Sequence, residues 1–361
     1  MKKSLIALAV LAASGAAMAQ SSVTLFGVVD ATYAYGSGSV ANKSQLTNSG
    51  YNSSRLGFRG VEDLGGGMSA SFWLEAGVNN DNGTGAGSST TNQVPDALTG
   101  ATAGDRARTA NTQGLTFNRR STVSLNGGFG EVRLGRDYTP QFWNLTVFDP
   151  FGTNGVGTSQ TLNSSLGGPT TVRASNAIGY FLPGNLGGFY GQAQYYMGEN
   201  LSNAANKKDG NGLSMRVGYA NGPINVALAL SETKYLAGNI KAVNLGGQYD
   251  LGVAKIMAHY NQDKISGGAD GKGFLIGGLV PMGAGEIRLA YSTYKVSVAG
   301  PDPRSNKLAL GYVHNLSKRT ALYATYAHVS NKNGAAQSLN GSVTAASDNS
   351  NGYDFGIRHS F

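Results

Sequence analysis

The sequence predicts an all-β protein, a closed antiparallel barrel of about sixteen strands that crosses a membrane. Three observations predict it. Segments of about ten residues, alternating apolar and polar positions, recur along the chain. Their connectors switch between short turns and long polar loops. After Gln20 no continuous apolar run approaches the ~20 residues that a helical span needs, and mean hydropathy is −0.19.

Length alone, at 361 residues, suits two or more ordinary domains or one large barrel. Composition favours the barrel: 54 glycines serve tight turns, and 18 tyrosines suit a surface wet at one end and apolar at the other. With no cysteine, disulfides, thiolate metal sites and cysteine nucleophiles are excluded. The formal charge of +8 falls to about +6 without Lys2 and Lys3, and no basic run resembles a nucleic-acid arm.

Residues 1–19 read as a secretory leader. Lys2 and Lys3 form its basic start, Leu5 to Ala13 its apolar run, and Ala17-Met18-Ala19 its cleavage box. Cleavage between Ala19 and Gln20 leaves 20–361 as one barrel domain, exported through the periplasm. The apolar run is too short to span a bilayer. The missing lipobox cysteine excludes a lipoprotein.

The segments follow in order. Val23 to Tyr35 sets Val23, Leu25, Val29, Ala31, Tyr33 and Tyr35 against Thr24, Asp30 and Thr32. Ser53 to Val61 sets Leu56, Phe58 and Gly60 against Arg55, Gly57 and Arg59. Met68 to Val78 turns Phe72, Leu74 and Ala76 outward and Ser71, Trp73 and Glu75 inward. Leu213 to Tyr219, Ile224 to Ser231 and Glu286 to Ser292 repeat the pattern, as does the terminus, with Tyr353, Phe355, Ile357 and Phe361 on one face. Short connectors include 62–67, 127–130, 183–188, 221–223, 250–252 and 281–285; long polar ones lie near 36–50, 79–113, 137–171, 199–211 and 331–350. Irregular periods leave counts of fourteen and eighteen strands open as well as about sixteen. A β-sandwich or a β-solenoid adhesin also alternates. A sandwich seldom needs so many segments with long loops at every second connection, and a solenoid would show a fixed short period, which is absent.

Five stretches carry a family resemblance: Ser22 to Asp30, Ser54 to Gly67, Phe129 to Arg136, Arg173 to Tyr180 and Gly356 to Phe361. On them the chain resembles the general porins of Gram-negative bacteria, in the branch typical of β-proteobacteria. The resemblance implies sixteen strands, a homotrimer, and a third loop folded into the barrel to narrow the pore. It implies a general diffusion channel in the outer membrane, surrounded by lipid and lipopolysaccharide. It also implies a terminal strand, with Tyr353, Phe355, Ile357 and Phe361, that the outer-membrane assembly machinery reads.

An arginine on the lipid face costs roughly 2–4 kcal/mol at midplane, so strand arginines are expected to face the lumen. Alternation turns Arg55, Arg59, Arg120, Arg133, Arg216, Arg288 and Arg358 inward; Arg136 and Arg173 flank the third loop. Inward acids are fewer: Glu75, Glu131 and Glu286, with Asp137 and Asp149 near the loop. Fixed positive charge in a narrow pore concentrates anions and excludes cations. The constriction is therefore expected to hold a basic ladder of Arg59, Arg120 and Arg173, with Arg55, Arg133 and Arg136 as further members. Asp149, in Phe148-Asp149-Pro150-Phe151, is the loop acid expected to face it, as the resemblance implies. Each arginine could equally serve as a structural bond to the base of the loop.

The alternative functions are a substrate-specific channel and a surface adhesin with long loops. Catalysis has little support. The four histidines, His259, His314, His328 and His359, show no paired metal spacing, and no GxSxG elbow occurs. A Ser–His site, whose members meet only in space, is not legible in a sequence. No cofactor or metal is expected. The tyrosines near segment ends suit interfacial girdles, and Trp73 alone does not make a sugar track.

Overall fold

The computed structural model describes residues 22–89, 91–93 and 112–361. The leader, with Ala19 and Gln20, lies outside them. The strands are β1 (Ser22–Gly38), β2 (Lys43–Asn48), β3 (Arg55–Gly65), β4 (Met68–Asn79), β5 (Thr84–Ala86), β6 (Thr112–Gln113), β7 (Arg120–Gly127), β8 (Gly130–Tyr138) and β9 (Arg173–Phe181). There follow β10 (Phe189–Tyr196), β11 (Gly212–Asn221), β12 (Ile224–Thr233), β13 (Ile240–Asp250), β14 (Lys255–Ile265) and β15 (Asp270–Met282). The last are β16 (Gly285–Ser297), β17 (Arg304–Asn315), β18 (Thr320–Lys332) and β19 (Ser350–Ser360).

Each wall strand pairs antiparallel with its neighbours, and β1 pairs with β19 to close the barrel. Both β2 and β3 lie along β1, the first opposite Ala31 to Gly36 and the second opposite Ser22 to Val28, so they are two parts of one stave. Pairing passes directly from β4 to β7, which leaves β5 and β6 as an outgrowth of the second loop. The nineteen strands thus make sixteen staves, with β2 and β3 counted once and β5 and β6 left out. The residues between β2 and β3 turn inward. Asp30 accepts the backbone N–H groups of Tyr51 and Asn52 (2.9 and 2.6 Å), and Ser49 takes a left-handed φ of 67°.

Alternation sorts the two faces of the wall. Outward positions are large and apolar: Leu245, Ile276, Leu289, Leu310 and Phe355 are each about half exposed to what would be lipid. Inward positions are polar or small, with Asp30, Thr32, Asn244, Asn261, Ser292 and Lys307 buried in the lumen. Among the described residues no helix is long and apolar enough to cross a membrane. The strands take that part, since a closed sheet satisfies every backbone group within itself.

The connection from β8 to β9 folds into the lumen, as expected of the third loop. It contains α1 (Pro140–Val147) and the single turn α2 (Gln160–Asn163). Pro140 stands at the start of α1, where its missing N–H costs nothing. The far wall makes room for the loop with small residues. At Gly246 a Cβ would collide with the Phe148 ring, and at Gly277 it would lie 2.8 Å from Pro150. Apolar contact seats the loop as well: Phe151 and Val156 pack on Leu275, Ala290, Ala309 and Val329, and Leu166 packs on Tyr235, Ile240 and Ile265.

Polar bonds fasten the loop. The buried Asn144 donates to the carbonyl of Ala227 (2.8 Å) and accepts from Arg216. Asn244 donates to the Gln141 carbonyl (3.1 Å), and Thr161 shares a proton with His259 Nε2 (2.6 Å). Lys307 donates to the Val156 carbonyl (3.1 Å), while Val156 N–H donates to Asp354 (2.7 Å).

Candidate functional site: the charged wall of the lumen

Facing the loop, β3, β4, β7, β8 and the start of β9 bring arginines together. Arg55 and Arg59 share the inner face of β3, four residues apart with Gly57 between them on that face. Register sets Arg59 opposite Trp73 and Glu75 opposite Arg120. The Trp73 ring lies between two guanidinium groups, 5.2 Å from that of Arg59 and 4.6 Å from that of Arg120. Such contacts hold cations in place while leaving their N–H groups toward water.

The cluster has two tiers. In the one nearer the loop, Arg119 donates to Glu75 (2.5 Å), and Arg55 stands 3.6 Å from the same carboxylate. The Tyr138 hydroxyl accepts from Arg119 (2.5 Å) and Arg173 (2.9 Å). Its ring stacks on Phe142 of α1 at 5.0 Å, with Trp143 edge-on at 5.3 Å. These side chains border an opening of about 500 Å³, with Tyr51 and Arg288 on its other side. In the second tier Arg133 bonds Asp137 (2.5 Å) and Glu131 (2.7 Å), and Arg120 lies 3.6 Å from Asp137. Arg120, Glu131 and Arg133, with Arg59, Trp73 and Ser124, line a recess of about 360 Å³. Among the described residues Arg59 has no ion-pair partner.

Arg55, Arg59, Arg120, Arg133 and Arg173 meet on one wall of the lumen. Two other expected members do not join them. Arg136 pairs across with Ser121, on the same outer face as Val123 and Leu134, and donates to the carbonyls of Asn118 (2.6 Å) and Ser89 (3.0 Å) in the second loop. Strict alternation from Arg133 already sets it outside, and its nearness to the third loop is misleading. Asp149 is buried within its own loop, accepting the N–H groups of Phe151 (2.8 Å) and Ser159 (3.2 Å), so its carboxylate shapes the loop. Burial pushes its pKa up to about 6, against the pull of those two N–H groups and of Lys307 and Arg288.

Two members were not foreseen. Arg119 precedes β7 and neighbours the inward Arg120, so alternation points it outward. Its N–H instead bonds the Glu75 carbonyl (3.0 Å) before regular pairing starts, and both arginines reach the lumen. The Arg119-Arg120 doublet was the available signal. Tyr138 ends β8, where the chain turns into the loop.

At the terminus, Tyr353, Phe355 and Ile357 face outward, and Phe361 exchanges two backbone bonds of 3.1 Å with Gly27. Tyr35, Tyr353 and Tyr326 lie side by side with tilted rings, as a girdle would.

A closed wall, apolar outside and polar within, with an opening bordered by fixed charge, is a membrane channel. The chain belongs to the Gram-negative porin family, whose model matches residues 5–334. It is 39% identical to outer membrane porin protein 32 of Delftia acidovorans, over the full length of both chains. It is 28% identical to an outer membrane porin of Bordetella pertussis, across 92% of this chain and 95% of that one. The structure of an anion-selective porin from Comamonas acidovorans superposes with a TM-score of 0.80 at 35% identity, covering 95% of this chain and all of the other. The protein is accordingly an outer-membrane porin of a Gram-negative bacterium.

Proposed function

We propose that this porin is a general diffusion channel that passes small hydrophilic solutes and prefers anions. One observation carries the reading: six guanidinium groups, Arg55, Arg59, Arg119, Arg120, Arg133 and Arg173, cluster against three carboxylates, Glu75, Glu131 and Asp137. In a narrow aqueous opening that excess concentrates anions. The relative described as an anion-selective porin supports the same preference. The reading carries no catalytic step and no cofactor.

The working unit is a homotrimer set in lipopolysaccharide. Its mature chain begins at Gln20, and the assembly machinery reads Tyr353, Phe355, Ile357 and Phe361. The test is a planar bilayer with a KCl gradient. Conductance steps in threes, with a zero-current potential near that of chloride, are expected; a potential near that of potassium overturns the anion reading.

The aromatic group Tyr138, Phe142 and Trp143 beside Arg119 and Arg173 favours a second reading, a preference for planar carboxylates. Saturable block of the chloride current by benzoate, and not by acetate, separates it from plain diffusion.

A further inference from the structure

The third loop is not alone inside the lumen. The residues between β2 and β3 also turn inward, and bonds to the wall hold them there. Gly50 N–H donates to Thr32 Oγ1 (3.1 Å), and the N–H groups of Tyr51 and Asn52 donate to Asp30. Tyr323 of β18 ties the two anchors together, its hydroxyl bonded to Thr32 (2.6 Å) and Asp30 (2.5 Å). The fold then docks on the tip of the third loop. Ser53 Oγ donates to Asn154 (2.8 Å), and at Gly155 a Cβ would collide with the Gly50 carbonyl. The two insertions meet as one shelf, fastened to β13 through Asn244 and to β1 through Asp30.

Tyr51 projects from this shelf. Its ring packs beside Val313, Ala321 and Tyr323. The guanidinium groups of Arg288 and Arg358 lie 4.5 and 5.2 Å from its centre. Both cations are themselves tethered. Arg288 bonds Glu286 (2.9 Å), and Arg358 donates to Ser360 (2.8 Å) and to the Arg319 carbonyl (3.1 Å). A ring bracketed by fixed cations is held in one place. Tyrosines in closed surroundings bond their hydroxyl, as Tyr138 and Tyr323 do. Among the described residues nothing bonds the hydroxyl of Tyr51, and its side chain borders the opening of about 500 Å³ across from Tyr138, Phe142 and Trp143.

We propose that Tyr51 is a size-determining residue of the pore: the inward fold of the first loop is a second arm of the constriction, and the Tyr51 ring is its edge. Arg288 and Arg358 are positioning residues that keep the ring in the path of solutes. The proposal rests on the diffusion-channel reading and needs no particular ion preference.

The test compares the full folded protein with Tyr51→Ala, Tyr51→Phe and Tyr51→Trp. Each is reconstituted in planar bilayers with symmetrical KCl and in liposomes whose swelling is followed in arabinose and in sucrose. Tyr51→Ala is expected to raise single-channel conductance about 1.5-fold, because pore diameter governs passage, and to speed swelling in sucrose relative to arabinose. Tyr51→Phe should match the parent in both readouts, and Tyr51→Trp should lower both. A ring that only braced the fold would not order the variants by side-chain volume. Equal conductance and equal sugar ratio in the parent, Tyr51→Ala and Tyr51→Trp overturn the proposal. So does Tyr51→Phe behaving like Tyr51→Ala. Tyr51→Trp keeps the claim testable should the alanine variant fail to fold. Parent liposomes that do not swell in arabinose overturn the diffusion reading instead, and the KCl conductances still decide the place of Tyr51.

Discussion

The two walls of the lumen are built to opposite rules. From β3 to the start of β9 the inner face is crowded with charge, its side chains hold one another, and the ladder is irregular. Pairing of β8 with β9 shifts register between Gly135 and Asp137, and Asn176 takes a φ of 55°. From β11 to β18 the pairing runs without a break, and the charges on the inner face are spread out, with Arg216, Asp263, Glu286, Arg288 and Lys307 among them. The loop leans on this second wall, leaving the first open to water. Regularity belongs to the wall that supports, and irregularity to the wall that meets solutes.

Removing charge from the first wall tests that division most directly. Replacing Arg59 and Arg120 with Ser should lower the anion-to-cation permeability ratio by about ten-fold, since a charged cleft raises local counter-ion levels by at least that order. Arg216→Ser on the opposite wall should leave the ratio nearly unaltered; equal shifts in zero-current potential from both would erase the distinction. Next in size is Glu75→Gln. It removes the acid that Arg119 and Arg55 share, and the urea midpoint of unfolding should fall by the equivalent of about 3–5 kcal/mol, the usual cost of leaving a buried charge unpaired. The anion preference should rise at the same time.

On the supporting wall, Asn144→Ala removes the bonds to Ala227 and Arg216. A cost of about 1–3 kcal/mol is expected for the groups left unpaired. Looser seating of α1 should appear as larger open-channel current noise with an unaltered ion preference. The smallest effect concerns Asp149. Its folded pKa of about 6 lies above the usual carboxylate value, so the folded state binds more protons and stability should increase as pH falls from about 7 to 4. Asp149→Asn should flatten that dependence in thermal unfolding. A variant with the parent's pH slope would remove Asp149 as its source.

The two walls also differed in how far they could be read from sequence. Strands such as Met68–Asn79, Ile224–Thr233 and Gly285–Ser297 follow from alternation, because each inward residue meets water and each outward one meets lipid. Expected turns such as 183–188 fall between β9 and β10 as the structure has them. The expected loop at 36–50 is instead largely strand, with β2 paired to β1 above an inward fold that Asp30 organises. α1 was not anticipated. It sits inside the lumen with Pro140, Gln141, Phe142, Asn144 and Leu145 all buried, so it has no solvent face to impose a helical pattern. Several extracellular connections, such as 234–239 and 266–269, are short, so the contrast in loop length is sharp only in part of the barrel. Arg119 escaped notice because its direction is set by a backbone bond at a strand end, where alternation has not yet begun.

The bonds between Gly27 and Phe361 join the first stave to the last residue of the chain. Until that residue arrives, β1 has an open edge along its upper half, where its partners on β19 belong. An unpaired edge is an invitation to another chain in water and untenable in hydrocarbon. Synthesis and export run from one end, but this wall cannot be completed in that order. Its oldest strand has to wait for its youngest, so the seam stays open until β19 is in place.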